Sequence, residues 1–217
     1  MAKKVESKTQ DSGRSQKEMP EKIELKLIKE LRARTSAGVM ECKRALQATN
    51  SKIEEAIDYL RKKGMAKATE RIGRTAGEGV IEAYIHPGAR LGVIVELRCE
   101  TDFCARTPEF KQLAKDIAMQ VAAVNPRWIL REEVPKQEIE HELEIYRAEA
   151  KESGKPDKVV DRIAEGKLDK FYKDTCLYEQ TFIRNSEITI EQLIKEYIGK
   201  LNENIRVKRF TRFRIED

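Results

Sequence analysis

Apolar residues recur at helical spacing over residues 21–64, and this pattern predicts three short amphipathic helices. The first ends near residue 34, the second begins after the Thr-Ser-Ala-Gly segment at 35–38, and the third begins at residue 51. The inner stripes of the three helices are Ile23, Leu27 and Leu31; Val39, Cys42, Ala45 and Leu46; and Ile53, Ala56, Ile57 and Leu60. Together they predict a compact three-helix domain with a small core.

The third helix carries start and stop signals. Ser51 and Glu54 have the spacing of a capping box, which predicts the helix N-terminus. Gly64 follows a basic turn and is predicted to end the helix. Residues 65–78 are small, basic and contain glycine, so they predict a partly helical linker.

The period changes from helical to alternating after residue 78. Residues 80–85 and 91–99 predict the two strands of a hairpin, because Val93, Val95 and Leu97 alternate with more polar positions. A loop is predicted over residues 100–106. Thr107 and Pro108 then predict the start of a helix. Its inner stripe is Phe110, Leu113, Ala114, Ile117, Ala118 and Val121.

The last third of the chain predicts further helices and a final strand. A charged helix is predicted over 136–152, shorter helices over 157–174, and another helix over 190–201. Residues 204–215 form a basic run of β type, although Phe210 is out of phase with Val207 and Phe213. Pairing of this run with the hairpin predicts an α+β core over 79–217, in which an antiparallel sheet is covered by helices.

Composition limits the class of protein. The chain has 217 residues and a net charge of +5, and it lacks the roughly 20 consecutive apolar residues of a membrane helix. Residues 1–20 are polar and predict a flexible leader. The four cysteines form no C-x-x-C pair and the chain has only two histidines, so structural zinc is not expected. We expect the cysteines to be buried free thiols of a cytoplasmic protein.

Catalytic chemistry is sparse. His86 precedes Pro87 at the predicted turn, with no nucleophile in a recognisable motif near it. The glycines at 73, 77 and 79 precede a strand and lack the GK[ST] ending of a phosphate-binding loop, so they predict a hinge. We therefore expect no enzymatic activity, no cofactor and no metal.

Two features favour binding, and each leaves alternatives open. Phe103 lies between a strand and a capped helix, and is either an exposed anchor for a partner or part of the core. Val39 and Met40 are adjacent, so at least one of them points away from the core. The basic C-terminal run predicts either a solvated strand face or contacts with RNA phosphates, and a ribosome-associated RNA-binding protein is the alternative function.

Several segments resemble the elongation factor Ts family. RARTSAGVMECKRAL at 32–46 resembles the segment that opens the N-terminal domain of that family, and ETDFCART at 100–107 resembles its Thr-Asp-Phe loop. Flanking segments agree in the order of the family: AIDYLRKKG, YIHPGARLGVIVEL, FKQLAKDIAMQVAA and NENIRVKRFTRF. The resemblance extends over nearly everything from residue 21 onward.

The resemblance implies a ubiquitin-associated-like three-helix domain at 21–64 and exchange of guanine nucleotide on the GTPase elongation factor Tu (EF-Tu). It implies that Phe103 wedges beside the Mg²⁺ and nucleotide site of the GTPase. The other residues of the Mg²⁺-displacing loop are Thr101, Asp102 and Cys104. In the N-terminal domain the implied partner contacts are Lys29, Val39, Met40 and Lys43, with His86 as a less secure contact in the hairpin.

The chain departs mildly from the family pattern. Cys104 stands where Val is usual, Val39 where Met is common, and Ser36 where Gly is common. The core resembles the short form, which implies a possible homodimer and a 2:2 complex with EF-Tu. Cys176 lies in a region where a contact between chains is conceivable.

Overall fold

A computed structural model describes residues 25–35 and 37–215. The predicted leader, Ile23 and Ser36 lie outside these residues. The helices are α1 (Leu25–Thr35), α2 (Val39–Ala48), α3 (Ile53–Arg71), α4 (Asp102–Arg106), α5 (Pro108–Val124), α6 (Lys136–Glu152), α7 (Asp157–Thr175) and α8 (Ile190–Leu201). The strands are β1 (Glu78–Ile85), β2 (Leu91–Cys99), β3 (Thr181–Phe182), β4 (Asn185–Thr189) and β5 (Arg206–Arg214). The predicted α+β class is confirmed.

The chain divides into two compact units after Tyr59. In the first unit, α1 and α2 bury their inner side chains, and Arg34 of α1 donates to both carboxylate oxygens of Glu54 at 2.7 and 3.1 Å. Glu54 therefore does not close the predicted capping box, and Ser51 has a positive φ of 62°, outside the helix that begins at Ile53. The inner stripes are also partly different. Buried here are Ile28, Leu31, Cys42, Ala45, Leu46 and Ala56, whereas Val39 is exposed.

The second unit is organised around a three-stranded antiparallel sheet in the order β1-β2-β5. Val93, Val95 and Leu97 point from β2 into the core, where they join the predicted stripe of α5. Thr107 caps α5 by accepting a hydrogen bond from the Phe110 amide at 3.2 Å, as the sequence predicted.

A β-bulge explains the irregular alternation of the C-terminal strand. Val207 pairs with Leu97 and Arg209 with Glu96, so Lys208 is the extra residue between two successive pairs. The extra residue brings Val207 and Phe210 to the same inner face although three positions separate them. Phe213 points to the opposite, outer face, where it is 64% exposed.

The prediction that α3 ends at Gly64 is wrong, because the helix continues to Arg71. A Cβ built on Gly199 of α8 would lie 2.9 Å from both the Cα and the carbonyl oxygen of Gly64. Glycine is thus required here because the two helices approach closely. Gly64 serves this packing and does not terminate the helix.

Two other parts of the core differ from expectation. The shorter helices predicted over 157–174 are one helix, α7, which continues through Gly166. The two-stranded sheet of β3 and β4 was not predicted. All four cysteines are free and buried, as expected, and the complete burial of Cys176 is unfavourable for the contact between chains conceived for it.

The two glycine environments generate a matched stability test. Replacing Gly199 by Ala forces its new methyl group against the Gly64 backbone, and we expect a loss of about 1–3 kcal/mol in the free energy of unfolding. A Cβ added at Gly166 would meet no atom within 4 Å. Gly166→Ala should therefore stabilise the protein by up to about 1 kcal/mol through helix propensity. Urea unfolding measures the free energy of unfolding of both variants. Equal changes in the two variants would contradict the close approach of Gly199 and Gly64.

Candidate functional site

The segment predicted as a loop before α5 is a short helix. Asp102–Arg106 form α4, and Thr101 is its N-cap, accepting a hydrogen bond from the Cys104 amide at 3.3 Å. Asp102 and Arg106 form an ion pair of 2.9 Å along one side of this turn. The loop prediction is wrong in conformation, because the Thr side chain after β2 is a good cap and turns the chain at once.

Phe103 lies on this turn with its side chain in solvent. The residue is 79% exposed, whereas Cys104 and Ala105 beside it are 5% and 6% exposed. Of the two positions left open by the sequence, the exposed one is therefore observed and the core position is excluded, while a role as an anchor for a partner stays a prediction.

Glu203, beyond the end of α8, holds the start of the Phe103 turn. Its Oε2 accepts from the Thr101 amide at 3.0 Å and its Oε1 accepts from the Thr101 hydroxyl at 2.6 Å. The sequence analysis did not single out Glu203, and 102 positions separate it from Thr101. No local pattern signals such a long-range partner.

A second acidic residue ties the same region together. Glu100 accepts from the Asn204 amide at 2.7 Å, and its carboxylate lies 3.9 Å from Arg71 and 3.8 Å from Arg74. The Asn204 side chain in turn donates to the Arg74 carbonyl at 2.6 Å. The end of α3, the end of β2 and the residues after α8 therefore converge beneath the Phe103 turn.

Two thiols lie under the turn. Cys99 Sγ donates to the Thr101 carbonyl at 3.1 Å. Burial is the main cause that raises the pKa of Cys99, to about 11, and it also raises the pKa of Cys104. Both thiols are therefore protonated near neutral pH. The two sulfur atoms and a carboxylate oxygen of Glu203 all lie within 4.8 Å of one another.

The four predicted contacts of the N-terminal unit are all exposed. Val39 and Met40 are 48% and 58% exposed at the start of α2, and Lys43 is exposed one turn later on the same helix. Lys29 is exposed on α1. Cys42, between these positions, is buried and holds the helix to its own unit. The unit thus exposes an apolar pair with Lys43 one turn away on the same helix.

His86 does not belong to the Phe103 turn. It lies at the β1–β2 turn, where the Tyr84 hydroxyl and its Nδ1 are 3.0 Å apart. The strand β2 runs from that turn to Cys99, and its nine residues separate the two ends by roughly 26 Å at the usual rise per residue. The hairpin tip and the Phe103 turn are therefore separate surfaces.

The sequence matches known proteins over most of its length. The family model described as "Elongation factor TS" matches residues 14–217. The chain belongs to the elongation factor Ts family. It is 54% identical over 193 residues to elongation factor Ts of Thermosipho melanesiensis, covering 89% of this chain and 98% of that protein. Elongation factor Ts of Carboxydothermus hydrogenoformans is also 54% identical over 193 residues, with 89% of each chain covered.

A third relative, elongation factor Ts of Caldanaerobacter subterraneus subsp. tengcongensis, is 55% identical over 191 residues, or 88% of this chain and 96% of the relative. The protein is thereby assigned to a family of translation elongation factors. Among the described residues, no helix has both the length and the apolar character needed to span a membrane.

The anchoring of the turn gives a direct test. Glu203→Ala removes both acceptors of Thr101, and we expect a loss of about 1–2 kcal/mol in unfolding free energy together with faster hydrogen exchange at the Thr101 amide. The matched control is Glu191→Ala, because Glu191 is itself exposed and its ion pair with Lys195 lies within one helix. Its removal should cost less than about 0.5 kcal/mol. Unchanged exchange at Thr101 in the Glu203 variant would refute the anchoring.

Proposed function

We propose that the chain is the guanine nucleotide exchange factor of EF-Tu. It binds the GDP form of that GTPase, displaces Mg²⁺ and disturbs the nucleotide site, so that GDP leaves and GTP can bind. The observation that carries the proposal is Phe103, 79% exposed on a turn whose base is held by hydrogen bonds. The factor makes and breaks no covalent bond, so it is not an enzyme in that sense, and it acts in the cytoplasm.

An exposed aromatic side chain on a fixed turn suits a wedge. Phe has few rotatable bonds, so it loses little conformational entropy when a partner encloses it, and aromatic anchors dominate binding energy at interfaces. The turn beneath it is restrained by the Thr101–Glu203 contacts, so Phe103 keeps its position when it meets a partner. Asp102 is the polar neighbour of the wedge, and Thr101 and Cys104 form its base.

Exchange requires that the factor prefer the nucleotide-free partner. By thermodynamic linkage, the ratio of its affinities for the two states equals the factor by which it weakens nucleotide binding. Contacts made equally in both states contribute affinity but no exchange. We assign to Phe103 the contacts that are incompatible with bound Mg²⁺·GDP. We assign to the N-terminal unit the contacts that are made equally with nucleotide-bound and nucleotide-free EF-Tu.

The exposed surface of the N-terminal unit supports that second role. Val39 and Met40 provide an apolar contact, while Lys29 and Lys43 favour a partner surface with acidic residues. His86, remote from the wedge along β2, is assigned at most an auxiliary contact. We assign partner binding to residues 21–64 and the wedge to 79–217, with 65–78 between them, of which residues 65–71 continue α3.

The RNA-binding alternative is weakened by contacts in the C-terminal strand. Of its basic residues, Arg209 donates to Glu96 at 2.6 Å and Arg212 donates to the Ala122 carbonyl at 3.3 Å. The Arg209 charge is therefore partly compensated and the Arg212 guanidinium is held by a backbone acceptor, which disfavours their use as phosphate contacts.

The wedge predicts a specific kinetic phenotype. In a fluorescent-GDP release assay with EF-Tu, Phe103→Ala should lower the maximal release rate at saturating factor. Loss of an aromatic anchor worth about 2 kcal/mol corresponds to a decrease of roughly 30-fold. Ile183→Ala is the matched control, since Ile183 is an apolar residue 45% exposed in the turn between β3 and β4. It should leave the rate unchanged.

The same assay separates the two roles. Met40→Ala should raise the factor concentration needed for half-maximal release and leave the maximal rate intact. If Phe103→Ala instead weakened binding while preserving the maximal rate, the assignment of conflict to Phe103 would be wrong. If wild-type factor gave no acceleration on active EF-Tu, the exchange function itself would fail.

We also propose that two chains associate through the outer face of the sheet, giving a 2:2 complex with EF-Tu. Four large apolar side chains are exposed on that face: Ile81, Ile85, Ile94 and Phe213. A second copy suits this face because sheet faces stack well and a C2 contact needs only one self-complementary patch. Part of the charge within it is compensated, since Arg98 and Arg209 both pair with Glu96 and lower its pKa, which leaves one net positive charge among the three residues.

The proposed association predicts that a charged substitution on the outer face of the sheet lowers the molecular mass in solution. Phe213→Asp should convert a dimer to a monomer in light scattering coupled to size exclusion, because it buries an unpaired carboxylate between the sheets. Ile183→Asp, an equal change at an exposed apolar residue of the β3–β4 turn, should leave the dimer intact. A wild-type chain that is monomeric at micromolar concentration would rule out this assembly.

A further inference from the structure

Two thiols and a carboxylate from three separate segments meet beneath the Phe103 turn. Cys99 ends β2, Cys104 lies in α4, and Glu203 follows α8, and their ligand atoms are all within 4.8 Å of one another. Structural zinc was not expected because the sequence has no C-x-x-C pair, although Cys99 and Cys104 are spaced as C-x4-C. The fold changes that expectation by adding a carboxylate from 99 positions beyond Cys104.

The chemistry of the donor set is selective. Two thiolates and one carboxylate suit a thiophilic divalent cation such as Zn²⁺, which takes sulfur and oxygen ligands in tetrahedral geometry. With zinc–sulfur bonds of about 2.3 Å, the two sulfur atoms of a tetrahedral site lie about 3.8 Å apart. The observed spacing therefore requires side-chain adjustments of no more than about an ångström.

Access and the remaining lone pairs also fit a metal. Both cysteines are buried, whereas Glu203 is half-buried, so an ion reaches the sulfur atoms from the side of the carboxylate. Glu203 already accepts two hydrogen bonds from Thr101, but a carboxylate has about four lone-pair positions. It can hold Thr101 and bind a cation together, and a water molecule completes the tetrahedron.

A disulfide is the competing use of the same two thiols. It would leave the Glu203 carboxylate without a role toward the sulfur atoms. A nearby carboxylate also disfavours the thiolate that must attack an oxidant. A divalent cation, in contrast, stabilises both thiolates and uses the carboxylate as a third ligand, so the donor set favours metal over disulfide.

We infer that Cys99, Cys104 and Glu203 form a site for one thiophilic divalent cation of the Zn²⁺ class. Binding replaces water ligands of the hydrated ion by two metal–sulfur bonds and one metal–oxygen bond, and one water ligand stays. The two thiol protons go to solvent, and the hydrogen bond from Cys99 to the Thr101 carbonyl is lost. The ion would join the end of β2, the Phe103 turn and the segment after α8, and so stiffen the base on which Phe103 stands. The inference does not depend on the exchange function.

Cobalt substitution tests the site on the full chain without any partner. The reduced, metal-free protein is titrated with Co²⁺, which gives a thiolate charge-transfer band and intense visible absorption when tetrahedral; Zn²⁺ then displaces it. We expect one equivalent of Co²⁺ and bleaching by Zn²⁺. Cys104→Val should abolish the charge-transfer band, with an affinity loss exceeding the roughly 10–100-fold typical of losing an outer contact.

Two further variants make the test discriminating. Cys42→Ala removes a buried thiol in the other unit and should retain the full spectrum. Glu203→Gln keeps the shape of the side chain but should weaken Co²⁺ binding at least about tenfold. Absence of the band in reduced wild type, or its persistence in Cys104→Val, overturns the site. Formation of a Cys99–Cys104 disulfide with hydrogen peroxide in a sample that binds no Co²⁺ likewise overturns it.

Discussion

The contact between Glu203 and Thr101 is the constraint on which the rest of the site depends. The helix that carries Phe103 has only five residues, far fewer than an isolated helix needs to be stable in water. Its conformation is therefore set by its surroundings: Thr101 caps it, and Glu203 fixes Thr101 through two hydrogen bonds across 102 positions. A second cap, Thr107, then directs the chain into α5, whose apolar stripe covers the sheet. One carboxylate thus fixes the start of the turn that presents Phe103.

Leaving Phe103 in solvent forgoes stability. Burying such a side chain contributes about 1.5–3 kcal/mol to the free energy of folding. Folding of this chain lacks most of that contribution, because Phe103 is 79% exposed. That free energy remains available to an interface, provided that the turn does not have to be ordered again on binding. The hydrogen bonds to Glu203 and Glu100 meet this condition. In the proposed mechanism, ordering is completed during folding, so the contact energy of Phe103 can be directed against the bound nucleotide.

Local patterns in the sequence predicted most elements, since helical periodicity and capping residues act over a few positions. The stripe of α5, its Thr107 cap and the pairing of the last strand with the hairpin are examples. The errors arose where distant contacts decide. Gly64 continues a helix because Gly199 packs against it, Lys208 bulges because β5 must align with β2, and Glu203 meets Thr101 only in the folded chain. The exposure of Phe103 was likewise undecidable locally, because either outcome satisfies the same pattern.

The motif that resembles the family and the contacts that hold it come from different parts of the chain. ETDFCART contains the residues that the proposed partner would meet, whereas the support comes from Arg71 and Arg74 at the end of α3 and from Glu203 and Asn204 after α8. In the proposed function, a change at 202–204 would therefore alter the action of Phe103 without touching EF-Tu. Hydrogen bonds and ion pairs provide that support, so loosening them would lower the maximal rate of nucleotide release before it lowers the affinity for EF-Tu. On this proposal the exchange rate and the partner affinity are separately adjustable, because different parts of the chain determine them.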